Sequence, residues 1–558
     1  MNRLFEQILE KRGVGADFLN PKYLSDDKVF LYLPDIDVAV SRISEAIYRG
    51  EKIMVYGDYD VDGVTATTVM ADALKMAGAK DVVTMLPDRF VDGYGMSGRC
   101  IERAKELGVG LVVTVDCGSN NSGVISGLFE SGIATIVTDH HEVMADVPSD
   151  AVAVVNPKRT DILEAAQQKI KETGLIDLAG VGVAFMVACA LVDAGLIPAG
   201  QEKWLLDLVL IGTLCDSMRL SKLNRELTFY GMKVLGKTRR LGLLELMKVA
   251  KINRISSESI GFQIGPRLNA GGRMESAEIS LKLLQAKSRA EAVRLVQELN
   301  DLNSRRRDEQ NAAMAEIAEN KAADLARPVI VVSGEWHEGV LGIIAGRLVE
   351  KYHKPAFVLS KTSMADTNGD GLIDVYKGSG RSFGDFNLAE VIRNCLSVQG
   401  GGHAAACGVK VLPENLEKFA DEVNAYYESL GLKNQERFLE VLPEISASDL
   451  GDFSEELLDE MAKLEPFGEG NVEPIFGLSN VKVEEARPVG KDGKHLRMVV
   501  SDERGRKMTL VAFSAPEEWL TLESGVFVSV VVQLMRNEWN GKTSVEGRIL
   551  GVEKITGF

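Results

Sequence analysis

The sequence predicts an α/β protein with a parallel sheet covered by helices, a long helical connector, a second and smaller α/β lobe, and a C-terminal β-barrel. Three observations carry this reading. From Glu51 to about Asn156, short apolar runs without polar alternation are separated by helical segments, the pattern of a parallel sheet buried on both faces. A charged stretch rich in Ala, Glu, Leu and Arg, residues 277–326, divides that region from a second strand-and-helix series beginning near Pro328. After Gly468 the chain is β-rich to its end, with five regularly spaced strand candidates.

The bulk properties agree with a multidomain globular protein. At 558 residues the chain is too long for one core and suggests three or four domains. With 45% hydrophobic and 26% charged residues and no low-complexity tract, disorder does not account for the length. Six cysteines scattered singly argue against a disulfide framework or a zinc site and for a reducing compartment. The N-terminus lacks a basic-then-apolar leader pattern, so a cytoplasmic location is expected. The most apolar window, residues 181–192, stops at Asp193, well short of the roughly 20 residues of a membrane span, and is expected to be a buried helix. A net charge of −17 argues against a surface that binds nucleic acid everywhere, but leaves room for a locally basic groove.

In the first lobe, residues 52–56, 81–86, 111–115, 134–137 and 151–154 read as strands, with helices at 65–76 and 99–107. The first strand stops at Gly57 and gives way to Asp58, Asp60 and Asp62. Carboxylates this close repel and raise one another's pKa, so a divalent cation is the expected counter-charge; a solvated acidic turn or a calcium-type loop is the alternative. The third strand ends in Asp116-Cys117-Gly118, and the fourth in Asp139-His140-His141. One acid at a strand end commonly caps the next helix, but three acidic or histidine-bearing termini at one sheet edge call for another explanation.

From Leu175 the pattern turns helical, and within it an apolar run closes on Cys215-Asp216. Residues 277–326 read as one or two extended helices linking the lobes. In the second lobe, 329–333 and 356–359 read as strands around a helix at 340–352. Residues 366–374 imitate the start of a calcium loop, but Lys377 stands where its bidentate Glu is needed, and a polar hairpin turn is the alternative. The C-terminal strands, 481–489, 496–501, 508–513, 526–534 and 542–552, suggest a small barrel of oligonucleotide-binding type. Arg497, Arg504, Arg506, Lys507, Arg536, Trp539 and Lys542 on it suit phosphates and stacked bases, although aromatics in a small barrel also serve as core.

Together, Asp60, Asp62, Asp116, His140 and Asp216, with Asp58 and His141 beside them, make an oxygen-rich set that suits manganese or magnesium. Cys117 and Cys215 adjoin candidate ligands but are read as core. Two ions about 4 Å apart would clamp an in-line phosphoryl displacement, so the reaction class is phosphoester or phosphoanhydride hydrolysis. His337 and His403 sit in glycine-marked loops of the second lobe. Gly378-Ser379-Gly380-Arg381-Ser382 reads as a phosphate cradle, and 265–273 offers Arg267 and Arg273 on a glycine-rich loop.

Six ordered motifs, Asp-Tyr-Asp-Val-Asp-Gly, Asp-His-His, the apolar run closing on Asp216, Gly-Pro-Arg-Leu-Asn-Ala, Gly-Ser-Gly-Arg-Ser and Gly-Gly-His-Ala-Ala-Ala, make the chain resemble the RecJ family from about Tyr56 to the C-terminus. That family comprises the bacterial single-strand-specific DNA exonucleases of the DHH phosphoesterase superfamily. The resemblance implies an N-terminal extension at 1–50, a DHH catalytic domain at 51–276, a connecting helix at 277–326, a DHH-associated domain at 327–434, a helix and linker at 435–470 and an oligonucleotide-binding barrel at 471–558. It implies processive 5′-to-3′ degradation of single-stranded DNA to mononucleotides in repair and recombination, by a monomer with single-strand-binding protein and a helicase as partners and no membrane association.

By position, Asp60, Asp62, Asp116, His140 and Asp216, with Asp58 as a further ligand, would hold two manganese or magnesium ions. His141 would ligate or assist the reacting phosphate, which His403 would face. Arg267, Ser379 and Arg381, with Arg89, would bind the 5′ end; Asn269, Arg273 and His337 complete the substrate-binding candidates. Two departures stand out: Ser-Met-Arg-Leu follows Asp216 where the family has an apolar pair and Pro, and 366–374 resembles an insertion. The rivals are a DHH phosphoesterase for short oligonucleotides, cyclic dinucleotides or pyrophosphate, which would lack the barrel, and an inactive DNA-binding scaffold, which would not retain the ligands.

Overall fold

The computed structural model describes residues 1–558 apart from 94, 145, 366–371, 433–441, 491–492, 540–541 and 555–558. In the first lobe, β1 (Ile53–Tyr56), β2 (Val82–Met85), β3 (Leu111–Val115), β4 (Ala134–Thr138) and β5 (Ala153–Val155) form a wholly parallel sheet in the order β2-β1-β3-β4-β5. Chain direction around the sheet reverses between β1 and β3, and ligands of such sheets bind at that crevice, beyond the strands' carboxyl ends. Asp58 follows β1 and Asp116 follows β3.

Both faces are covered, as the uninterrupted apolar strands require. Ile36–Arg49, Val61–Met76, Gly180–Asp193 and Leu206–Cys215 pack on one face; Gly98–Leu107 and Ser122–Glu130 bring Cys100, Ala104, Ile125 and Leu128 to the other. The helix expected at 65–76 starts at Val61, because the Asp60 carboxylate caps it, accepting from the Gly63 amide at 3.0 Å. The connector expected over 277–326 is a short helix, Glu278–Leu284, followed by a 32-residue helix, Arg289–Asn320, and a further turn, Ala322–Ala326.

The second lobe holds β6 (Ile330–Gly334), β7 (Ala356–Ala365), β8 (Leu372–Arg381), β9 (Gln399–Gly402) and β10 (Ala406–Val411) in the order β6-β7-β8-β10-β9. The calcium-like stretch falls between β7 and β8, which pair antiparallel up to Ala365 and Leu372. Residues 366–371 lie outside the described residues, and Asp374 lies in β8, ion-paired to Lys361 at 2.7 Å.

The C-terminal unit comprises β11 (Ile445–Ala447), β12 (Ile475–Val489), β13 (His495–Ser501), β14 (Lys507–Ala512), β15 (Phe527–Trp539) and β16 (Lys542–Lys554). Pairing of β12 with β15 closes a five-stranded barrel. This unit starts earlier than residue 471, since β11 pairs with β12 and Glu455–Met461 supplies Leu457, Leu458 and Met461 to the barrel core. Residues 1–50 pack on both cores. The helix Arg3–Arg12 buries Leu4, Phe5 and Ile8 in the barrel core, and Ile36–Arg49 belongs to the catalytic core. Of the basic barrel residues, Arg504, Arg506, Lys507 and Arg536 are ion-paired with Asp449, Asp502, Glu484 and Asp459.

The linker before the barrel is docked on the catalytic lobe. Leu220 donates its amide to the Glu469 carbonyl at 2.7 Å, and the Ser257 hydroxyl bonds Glu465 at 2.6 Å. The Ser-Met-Arg-Leu segment after Asp216 thus forms the seat of the linker, with Ser217 in the left-handed region at φ 56°. Among the described residues, no helix is long and apolar enough to cross a membrane.

Candidate metal centre

Five elements deliver the carboxylates and imidazoles to the switch point. Asp58 and Asp60 leave β1, and Asp62 sits in the first turn of Val61–Met76. Asp116 leaves β3 with φ 58°, a conformation uncommon outside glycine, and His140 follows β4. Asp216 caps the C-terminus of Leu206–Cys215, where the helix's negative end disfavours a carboxylate and a nearby cation would offset it.

The donor atoms fall into overlapping groups within 4.8 Å of one another: Asp58, Asp60 and Asp116; Asp62, His140 and Asp216; and Asp116, His140 and His141. His140 Nε2 lies 3.0 Å from Asp116 Oδ1, 3.6 Å from Asp216 and 3.8 Å from Asp62. The Asp116 oxygen, though buried, accepts no hydrogen bond, and Asp58 Oδ1 is in the same position. Two donors about 3 Å apart without a hydrogen bond are spaced as neighbours around one octahedral ion with bonds of about 2.1 Å. The residues present therefore fit hard divalent cations.

Electrostatics agree. Burial first, and Asp60 second, push the carboxyl of Asp58 up to about 8 and that of Asp62 up to about 7. Burial and Asp62 push Asp216 up to about 8, and burial with Asp62, Asp60, Asp58 and Asp216 raises Asp116 well above the usual carboxylate range. Burial and then His141 lower His140 to about 3, which leaves it neutral and able to ligate. Because these carboxyls titrate above their unfolded value of 3.8, the folded metal-free protein binds extra protons between about pH 4 and 8, so its stability falls as pH rises through that window. Thermal denaturation of chelator-treated protein should show this fall, with a manganese-induced gain in Tm that grows with pH; a gain independent of pH would count against a crowded carboxylate centre.

Two residues that the sequence reading did not single out hold this arrangement. Asp139 accepts from the amides of Ser119 at 3.0 Å and His140 at 2.7 Å and binds His141 Nδ1 at 2.8 Å. Burial raises its pKa, but the hydrogen bond and charge of His141 outweigh that and hold Asp139 below the usual carboxylate range. Its place in the Asp-His-His triplet was the available signal. Asp139→Asn should lower metal affinity or turnover by about 10–100-fold, as measured by manganese titration and initial rate. Gly180 donates its amide to Asp62 at 2.6 Å, and a Cβ there would lie 2.5 Å from Asp116 Cβ. The sequence marks it only as the start of an apolar helix.

A second cluster is cationic. Arg89 stacks over the Tyr59 ring at 5.0 Å. Burial, then Arg89 and Arg306, lower the Arg273 guanidinium to about 10, with Asp60 the opposing charge and Arg381 also nearby. Arg381 donates to Ser379 Oγ at 2.9 Å, and both face Gly342 in the first turn of Leu341–Tyr352, where a Cβ would lie 2.9 Å from Arg381 Nη2. Guanidiniums, a hydroxyl and a helix N-terminus thus converge beside Asp60, an arrangement suited to a phosphate. His337 flanks it, its ring against Phe90 at 5.4 Å and its loop against Arg273 through Gly339.

The segment expected as a glycine-rich loop at 265–273 is instead the helix Gly265–Met274. Its glycines permit close packing: a Cβ on Gly272 would lie 2.6 Å from the Tyr59 carbonyl oxygen. Arg267 and Arg273, six residues apart, point about 120° apart around it. Arg267 binds Asn300 Oδ1 at 3.2 Å and the Gln263 carbonyl at 2.8 Å, away from Arg89 and Arg381, and Asn269 is half-buried on the same helix. His403 lies exposed at the turn between β9 and β10 and forms no hydrogen bond or ion pair with the carboxylates among the described residues. Cys117 Sγ lies 3.9 Å from the Tyr56 carbonyl oxygen and Cys215 Sγ abuts Gly265, and neither belongs to the candidate donor groups among the described residues.

Comparison with known proteins adds the lineage. The descriptions "DHH family, N-terminal domain", "DHHA1 domain" and "RecJ OB domain" match residues 52–213, 325–429 and 446–550. The single-stranded-DNA-specific exonuclease RecJ of Bacillus subtilis is 34% identical over 97% of this chain, which spans 66% of that relative's length. The protein of the same name from Haemophilus influenzae is 31% identical over 93% of this chain and 91% of its own. The crystal structure of RecJ in complex with Mn2+ from Thermus thermophilus superposes with a TM-score of 0.81 at 29% identity, covering 100% of this chain and 76% of that one. With three matched domains in order and a relative above 30% identity covered over nine-tenths of its length, the chain belongs to the RecJ family.

Proposed function

We propose that this protein is a metal-dependent exonuclease that hydrolyses single-stranded DNA from its 5′ end and releases mononucleotides. The observation that carries the reading is the facing pair His140 Nε2 and Asp116 Oδ1, 3.0 Å apart and buried, with Asp58, Asp60, Asp62 and Asp216 around them. Asp60, Asp62, Asp116, His140 and Asp216, with Asp58, would hold two manganese or magnesium ions, which supply a water of lowered pKa and charge neutralisation at the reacting phosphate. Manganese in the Thermus thermophilus structure supports this choice.

The chain's own residues then bind and orient. Arg89, Arg273, Ser379 and Arg381 hold the terminal phosphate beside Asp60 and so set the length of the product at one nucleotide. Asp139 anchors His141 through Nδ1, so a contact of that ring with the scissile phosphate is made through Nε2. The 5′ polarity follows the family resemblance. The barrel grips the strand beyond the cut, and the protein acts as a cytoplasmic monomer alongside single-strand-binding protein and a helicase in repair and recombination.

Strands labelled at the 5′ or the 3′ end, assayed with manganese beside a cyclic dinucleotide, test the reading. Early release of the 5′ label as mononucleotide, with the 3′ label kept on long products, is expected; early release of the 3′ label, or preference for the cyclic dinucleotide, would overturn it. Arg381→Ala should remove about 1.5–3 kcal/mol of phosphate binding, seen as a 10- to 100-fold rise in KM for 5′-phosphorylated strands and a small one for 5′-hydroxyl strands.

A further inference from the structure

The loop between β2 and the helix Gly98–Leu107 carries Arg89 into the cationic cluster, yet the core does little to hold it there. Between Pro87 and Met96 no described residue is a buried hydrophobic, and Val91 at the tip is 73% exposed. Two consecutive side chains of the tip reach both lobes. Arg89 stacks over Tyr59 of the first lobe at 5.0 Å, and Phe90 meets His337 of the second at 5.4 Å. Burial, and then the charge of Arg89, lower Arg273 to about 10; burial lowers Arg381 against the influence of Cys407, and Arg89 adds to it. These three guanidiniums repel one another. Asp58 attracts Arg89, a pull that the charge of bound metal offsets, so a loop that brings Arg89 here needs an anchor of its own.

Asp92 supplies it. Its carboxylate, 3% exposed, accepts from the Asp88 amide at 2.8 Å, the Ser97 hydroxyl at 2.9 Å and the Arg99 guanidinium at 2.8 Å. The Asp92 amide donates back to the Asp88 carbonyl at 2.7 Å, and Asp88 Oδ1 accepts from the amides of Phe90 at 2.8 Å and Val91 at 3.2 Å. Residues 88–92 are thereby cross-tied into a closed turn that presents Arg89 and Phe90. The buried Tyr56 hydroxyl donates to the Gly95 carbonyl at 3.2 Å and pins the return of the loop to the end of β1. All the donors to Asp92 lie in the loop or in the first turn of the helix that follows it. Such charge-assisted bonds are the strong ones, and here they shape the loop and not the sheet.

We propose that Asp92 is a positioning residue of the exonuclease: by clasping Asp88, Ser97 and Arg99 it holds Arg89 at the terminal phosphate against the repulsion of Arg273 and Arg381. The inference rests on the exonuclease reading above. Asp92 acts through Arg89 and touches neither substrate nor metal.

The test uses the full chain with manganese and oligothymidylate carrying either a 5′ phosphate or a 5′ hydroxyl, reading KM and kcat for release of the first nucleotide. Asp92→Asn keeps the shape of the side chain, removes the charge facing Arg99 and turns an NH2 group towards a donor. It should raise KM for the phosphorylated strand by about 10- to 100-fold, the scale of an ångström-sized displacement, and KM for the hydroxyl strand far less. In an Arg89→Ala background the same substitution should add nothing to either KM. An equal rise on both strands, no rise, or a rise that persists without Arg89 would overturn the proposal and leave Asp92 as a fold residue only. Ser97→Ala and Arg99→Ala each remove one donor and decide the matter should Asp92→Asn not fold: each should raise KM for the phosphorylated strand alone, by a smaller factor that also vanishes without Arg89, and no such rise in either would overturn the proposal. Failure of native protein to release mononucleotides at all would instead overturn the exonuclease reading on which the proposal stands.

Discussion

Asp116→Asn abolishes manganese-dependent release of mononucleotides, by at least on the order of 10³-fold, while the protein stays folded. The substitution keeps the shape of a side chain that is 2% exposed and removes the charge that joins the candidate donor groups. It also carries a second signature. Asp116 is crowded by Asp62, Asp60, Asp58 and Asp216, and its carboxyl is raised by burial before any of them. Replacing it by a neutral amide relieves that crowding, so Tm of the chelator-treated variant at pH 8 should exceed that of native protein treated alike. The manganese-induced gain in Tm should vanish. Calorimetry at pH 8 with and without manganese separates this from simple damage, since a damaged core would lower Tm in both conditions.

Gly180→Ala should cripple the same centre without touching a ligand. The added methyl would lie 2.5 Å from Asp116 Cβ, 2.6 Å from its Oδ1 and 2.8 Å from its Cα, so backbone as well as side chain must move. The amide of Gly180, which donates to Asp62 at 2.6 Å, moves with it. A displacement near 1 Å costs about 10²-fold in turnover, and the overpacking adds about 1–3 kcal/mol of destabilisation. Gly182→Ala is the control. There the methyl meets Leu178 Cδ2 at 2.9 Å, a side-chain end that can give way. It should lower Tm while leaving the manganese dependence of turnover near native; equal losses in the two variants would show that helix packing alone, and not Asp116, is at stake.

The catalytic lobe was legible because its signals are local. An apolar run that stops at an acid, as at Tyr56 before Asp58, Val115 before Asp116 and Thr138 before Asp139, reads directly as a buried strand ending at a site. The barrel strands were legible from turn spacing, and β13 and β14 match their expected positions to within a residue at either end.

What escaped depends on distant contacts or on glycine's double meaning. Nothing near Leu4, Phe5 and Ile8 tells that their partners lie some 440 residues later in the barrel core. The glycines of 265–273 look like a loop when read alone, since a helix tolerates them only where another backbone comes close, as that of Tyr59 does at Gly272. Reading that stretch as a loop also hid that Arg267 and Arg273 face different ways. Asp139 lay inside a recognised motif, but its role as the anchor of His141 requires the geometry of the turn after β4.

The buried cluster at the end of β1, β3 and β4 is expected to bind two divalent cations. Anomalous diffraction from manganese-soaked crystals at the manganese edge tests it most directly. Two peaks are expected, one among Asp58, Asp60 and Asp116 and the other among Asp62, His140 and Asp216, both absent from the Asp116→Asn protein. Peaks elsewhere, or none at these residues in a manganese-saturated crystal, would contradict the account.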